Sequence, residues 1–125
     1  TLHTGNADQT IDRIIDSFPA HQQAQARTQL AGSLEGIIAQ QLLPLANNKG
    51  RIAALEILLA TGAVRNLIRE GRTHQIPTSI QTGIKIGMRS MDYSLSELVR
   101  EGRITSETAT ERAMDVDMLK RYLFA

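Results

Sequence analysis

Two apolar segments, residues 36–45 and 51–59, flank the polar string Asn47-Asn48-Lys49-Gly50. A polar, Gly-ended insert between two such runs is a hairpin signal, because the Asn and Gly positions tolerate the left-handed backbone of a tight reversal. The spacing predicts two antiparallel strands. Period two puts Glu56 on one face with Ala54 and Leu58, opposite Leu55 and Ile57. A carboxylate on a buried face needs a partner. An ion pair with an arginine is the expected one.

The rest of the chain reads as helices. Asn6 or Asp8 caps a first helix in which Ile11, Ile14 and Ile15 share a face, and which stops near Phe18-Pro19. Pro19 suits the first turn of a second helix, where Leu30, Leu34, Ile37 and Ile38 repeat at helical spacing. Its end at Gly32 or Gly36 is soft, since residues 37–45 also read as a strand. Thr61 caps a short helix with Ala63, Val64, Leu67 and Ile68 as a buried stripe and Arg65, Asn66, Arg69 and Glu70 opposite. Gly71 stands where helices end. A helix across residues 73–82 has Pro77 near its first turn, and Gly83 and Gly87 mark a turn. Met88, Met91, Leu95, Leu98 and Val99 define a further helix that ends at Gly102. Thr105 or Ser106 opens the next, and residues 116–124 form a last one. The fold class is α/β with helices dominant.

Composition narrows the function classes. With 42% hydrophobic and 22% charged residues the chain is that of a globular protein. Only 3% is aromatic, which argues against a stacking platform for single-stranded nucleic acid. The net charge of +1 gives no global attraction for polyanions, although eleven of the fourteen basic residues are Arg. A nucleic-acid-binding role is not expected. There is no Cys, so disulfides and thiolate metal sites are excluded. No apolar run reaches the roughly 20 residues of a membrane helix. The first residues lack the basic and apolar stretches of a signal peptide. With no initiator Met, the chain reads as part of a longer protein.

Four positions are candidates for chemistry. His3, in Thr1-Leu2-His3-Thr4-Gly5, would leave the end of a strand, where ligands of open α/β sheets gather. Spacing alone favours a capping or surface role for it. Arg65 and Arg69 lie one turn apart, as do Asn66 and Glu70, and two stacked guanidiniums could grip an acidic partner. A solvated helix face is the ordinary alternative. Asp12 and Asp16 are also one turn apart, but such pairs more commonly face water. Glu56 is the fourth. The phosphate loop G-x-x-x-x-G-K-[ST], the dinucleotide fingerprint G-x-G-x-x-G and the zinc motif H-E-x-x-H are all absent.

Ala63-Val64-Arg65-Asn66-Leu67-Ile68-Arg69-Glu70 closely resembles the AIRNLIRE signature of the PilT family of pilus-retraction ATPases, with Val64 in place of Ile. Thr1-Leu2-His3-Thr4 is similar to the family's His box, and Thr10-Ile11-Asp12-Arg13-Ile14-Ile15-Asp16 with Phe18-Pro19 to the helix after it. Ala53, Ala54, Glu56 and Ile57 resemble the strand before the signature. Ile80-Gln81-Thr82-Gly83, Gly87-Met88 and Met91-Asp92 resemble the segment after it. Only the last dozen residues are outside the resemblance. Leu55 and Gly62 depart from the family pattern, which has His and Pro there, and the subfamily, PilT or PilU-like, stays open.

The resemblance implies the C-terminal part of a RecA-like P-loop ATPase domain. Residues 1–60 would close its core, and residues 61–125 would form a helical region carrying the signature. It implies a cytoplasmic homo-hexamer at the inner face of the bacterial inner membrane, peripheral and not membrane-spanning. Such a ring hydrolyses ATP with Mg2+ and acts with the pilus inner-membrane platform protein. His3 would be the His-box residue near the γ-phosphate or attacking water. The helix from Arg65 to Glu70 would serve subunit communication or partner contact. The family's Walker A loop, Asp box and Walker B glutamate lie upstream of the His box, so this chain alone is expected to bind ATP weakly or not at all. A non-catalytic interaction module is the alternative. The lack of Cys argues against the assembly-type ATPases, which carry a Cys-ligated zinc.

Overall fold

The computed structural model describes residues 4–124, so the expectations placed on Thr1, Leu2 and His3 lie outside the described residues. Helix α1 (Ala7–Asp16) and α2 (Gln23–Ser33) precede a hairpin of β1 (Gly36–Pro44) and β2 (Arg51–Leu59). Then come α3 (Gly62–Arg69), α4 (Ile76–Thr82), α5 (Met91–Arg100), α6 (Ser106–Arg112) and α7 (Val116–Phe124). Single 3-10 turns precede α2 and α4, and another lies at Ile84–Ile86. Pro77 falls in the first turn of α4, where its missing N–H costs nothing.

The helices start where short polar side chains can cap them. Asn6, Thr61, Ser90 and Thr105 each accept a hydrogen bond from the backbone N–H three residues on, in α1, α3, α5 and α6. Helix α3 ends in a Schellman motif. Gly71 takes φ +70, Arg72 N–H donates to Leu67 O, and Gly71 N–H to Ile68 O.

The strands pair antiparallel from Gly36 opposite Leu59 to Pro44 opposite Arg51, as the insert predicts, with Asn48 at φ 58 in the turn. Ala54, Glu56 and Leu58 share the buried face of β2 with Ala39 and Leu43 of β1. The outer edge of β2 is partly closed. Ile57 and Arg89 exchange both backbone hydrogen bonds, and Leu55 N–H donates to Ser94 Oγ.

The second helix is shorter than its apolar repeat suggests. It ends at Ser33, and Ile37 and Ile38 belong to β1. The buried residues of α2 are Ala26 and Ala31, with Leu30 and Leu34 half-buried beside them. A run such as Ile37 to Leu43 fits either period, and pairing with β2 decides it for the strand. Met88 likewise precedes α5 instead of belonging to it.

Two apolar clusters flank the hairpin. One gathers Ile11, Ile15, Leu58, Val64, Ile68, Ile76, Ile80 and Met88. The other gathers Leu43, Ala54, Met91, Leu95, Leu98, Ile104 and Leu119. Each fully buried aliphatic side chain contributes about 1.5–3 kcal/mol against exposure. Glu56 lies on the same strand face, between Ala54 of one cluster and Leu58 of the other.

Candidate functional site

Helix α3 carries the signature residues, and its geometry separates them into two groups. Val64 and Ile68 are fully buried and Leu67 is half-buried, as the periodicity predicts. Ala63 is exposed, so the stripe is narrower than its four apolar residues suggested. Asn66, Arg69 and Glu70 are exposed. Arg69 Nη1 donates to Asn66 Oδ1 at 2.7 Å, and Glu70 pairs with Arg72 at 3.4 Å. These residues form a polar rim on α3, whose Ala63 and Leu67 line, with Gln75, Thr78, Ser79 and Thr82, a groove of about 390 Å3 toward α4.

Arg65 does not join that solvated face. It is half-buried, its Nε donates to Ala60 O at 3.1 Å, and its Nη1 donates to Ala31 O. Ala31 lies in the last turn of α2, where carbonyls have no helical partner. The guanidinium therefore satisfies an orphan carbonyl and ties α3 to both α2 and the end of β2. The two arginines one turn apart do not act as a stacked pair, because one of them is a staple.

Glu56 has no arginine partner, contrary to the expected ion pair. It is 6% exposed, and its Oε2 accepts from Ala7 N–H at 2.6 Å while Oε1 accepts from Met91 N–H at 3.1 Å. Ala7 and Met91 are the first residues of α1 and α5. One carboxylate thus closes two helix N-termini, where unpaired N–H groups and the helix dipole favour negative charge. Burial pushes its carboxyl above the ordinary range, the two N–H donors pull against that, and the charges of Asp8 and Asp92 add to the push.

Asp92, buried to the same degree, was not singled out by sequence reasoning. Its Oδ1 accepts from Met114 N–H at 2.7 Å and its Oδ2 from Asp115 N–H at 3.0 Å. Burial raises its carboxyl as well, against the pull of those two donors. Asp8 is raised for the same first reason. The signal available for Asp92 was an acidic residue in the first turn of a helix, which ordinarily faces water. Asn6, Asp8, Glu56, Asp92, Met114 and Asp115 are among the residues around a cavity of about 250 Å3.

The Asp12–Asp16 pair forms no site. Asp12 Oδ1 accepts from Thr73 Oγ1 at 2.7 Å, which fastens α1 to the turn before α4. Among the described residues no three His, Asp or Glu side chains converge on a metal-binding geometry. No helix among them is long and apolar enough to cross a membrane.

No family model matches the sequence. The twitching motility protein of Neisseria gonorrhoeae is 47% identical over 119 residues, which cover 95% of this chain and 32% of that protein. The type IV pilus retraction ATPase PilT of Pseudomonas aeruginosa is 46% identical over 113 residues, 90% of this chain and 33% of that protein. Among solved structures, the pilus retraction motor PilT with bound ADP superposes with a TM-score of 0.85 at 42% identity, over 97% of this chain and 33% of that one. The chain spans about a third of the length of the relatives it matches. Over that third the resemblance read from the sequence holds: in sequence and in fold the chain is similar to the PilT pilus-retraction ATPases.

Proposed function

We propose that this chain is the C-terminal part of the ATPase domain of a hexameric motor that hydrolyses ATP to drive type IV pilus retraction. Residues 1–60 complete the RecA-like core, and residues 61–125 form the helical region. The observation that carries the reading is the α3 signature, Ala63 to Glu70. It combines a buried half that fixes the helix with an exposed half of Asn66, Arg69 and Glu70 that bonds only within its own neighbourhood. A polar rim of that kind suits contact with a ring neighbour or with the inner-membrane platform protein. The motor works in the cytoplasm, peripheral to the inner membrane, and His3 acts near the γ-phosphate or the attacking water.

The described residues do not fit ATP and Mg2+ by themselves. The N-terminus of α1 is closed by Asn6 and Glu56 and carries Asp8 in its first turn. That of α5 is closed by Ser90 and Glu56 and carries Asp92. Both of these helix ends already hold carboxylates and are lost to phosphate. The parts that cradle phosphates and magnesium therefore come from outside these residues.

The test is ATP turnover by the full-length protein, together with twitching of cells whose retraction depends on it. Turnover should require Mg2+, and Asn66→Ala combined with Arg69→Ala should abolish twitching while turnover persists. A full-length protein without turnover, or normal twitching in the double variant, would refute the reading. Calorimetry of the 125-residue chain with ATP and Mg2+ should show no binding.

A further inference from the structure

The contacts around the cavity close into a ring. Glu56 holds Ala7 and Met91. Asp92, next along the chain, holds Met114 and Asp115. The Met114 side chain then returns to the start. Asn6 Nδ2 lies 3.9 Å from its Sδ, and a Cβ at Gly5 would lie 3.0 Å from its Cε. Four stretches of chain that are distant in sequence thus meet, and the segment they enclose begins at the residue after His3.

Several features separate this ring from ordinary packing. Met114 is 45% exposed and belongs to neither apolar cluster, so burial does little to hold it. It is held through its backbone, by a carboxylate that is itself 6% exposed and forms no ion pair among the described residues. Burying two carboxylates without a counterion is costly unless their lone pairs are used. Here all four oxygens accept backbone N–H groups, so the charge is spent on fixing chain segments. Residues 113–115 join α6 to α7, and α7 packs on α5 through buried Leu119 and a T-shaped contact of Tyr122 with Tyr93, ring centroids 5.2 Å apart. A shift of α7 against α5 must therefore act on Met114, and through it on residues 5 and 6.

We propose that residues 113–115 are a strap, fastened by Asp92, that positions the segment Thr4–Ala7, and that Asp92, Met114 and Glu56 are positioning residues for the chemistry to which His3 belongs. The proposal rests on the ATPase reading for its functional consequence but not for its mechanics. Because coupling is reciprocal, a change at residues 4–7 also biases α5 and α7.

The experiment uses the full-length protein and its Met114→Ala, Met114→Leu, Asp92→Asn and Val116→Ala variants. Amide hydrogen exchange of residues 4–10 is read beside kcat and KM for ATP. Met114→Ala removes a half-exposed side chain outside the core, so melting should not move. Exchange of residues 4–10 should rise several-fold and kcat should fall about tenfold, with KM within about twofold, as expected for a misplaced reacting group. Met114→Leu keeps an apolar reach and should restore both, and Val116→Ala should change neither. Asp92→Asn keeps one acceptor and should speed exchange at 114–115 and at 4–10 together.

Exchange at 4–10 that stays at the wild-type rate in Met114→Ala overturns the strap, as does an Asp92→Asn effect confined to 114–115. Faster exchange with an unchanged kcat overturns the positioning role. A wild-type protein without turnover refutes the ATPase reading instead, and the exchange data then decide the strap alone.

Discussion

Replacing Arg65 by Ala removes two hydrogen bonds from one guanidinium, to Ala60 O and to Ala31 O. Hydrogen bonds involving a charged group contribute about 1.5–3 kcal/mol each. Arg65 is half-buried, so water replaces part of what is lost, and the low end applies. The expected cost is about 2–3 kcal/mol for the pair. For a domain of this size about 4 °C accompanies each kcal/mol, which gives a fall in Tm of about 10 °C. Arg65→Lys retains the charge but not the planar fork, and should lose about half as much. Asn66→Ala, one residue on but exposed, should stay within about 0.5 kcal/mol. Thermal melts followed by far-UV circular dichroism read all three. An Arg65→Ala protein that melts within about 2 °C of wild type would refute the staple, and with it the separation of Arg65 from the rim. The distinction bears on function. Under the proposed function, a variant lacking Arg65 would lose retraction through instability as readily as through a lost contact, so Asn66 and Arg69 are the residues that probe the surface.

Gly83→Ala would place its Cβ 2.7 Å from Met88 Sδ and 3.0 Å from Ser79 O. Overpacking there should cost about 1–3 kcal/mol, read as a lower urea midpoint, and an unchanged midpoint would mean that Met88 moves aside freely. The carboxyls of Asp8, Glu56 and Asp92 are all raised in the folded protein. A raised folded value means the stabilising contribution is fully present below the unfolded value and is lost as pH rises through the folded one. These three groups should therefore make the protein more stable as pH falls from neutral toward the ordinary carboxylate range. Glu56→Gln should flatten that dependence in urea titrations, and parallel slopes for the two proteins would rule out a raised Glu56.

The elements that sequence reasoning placed well are those whose causes are local. The hairpin follows from its polar insert, and its register runs from Gly36 to Arg51 without interruption. Asn6, Thr61 and Thr105 cap the helices they were expected to cap, since a cap needs only the next three residues. The errors share one origin. Arg65 looked solvated because its helix face is polar, but its acceptor on α2 is 34 residues away. Glu56 was rightly expected to need partners, and the wrong partner was named because its donors lie 49 and 35 residues away on two different helices. Ile37 and Ile38 satisfy the helical period as well as the strand period, and only the neighbouring strand removes that ambiguity.

Glu56 also shows what a buried carboxylate can reveal without an alignment. Its place in the buried phase of a strand demands donors, and with no arginine side chain paired to it those donors are backbone amides. The strongest unclaimed amides in any α/β segment are at helix N-termini. A helix end claimed by a carboxylate is then lost to phosphate. The sequence holds no phosphate loop. In the structure the N-termini of α1 and α5 are filled from within. What these residues offer to the motor proposed above is mechanical: a short path from the segment after His3, through Glu56 and Asp92, to the helices that follow the signature.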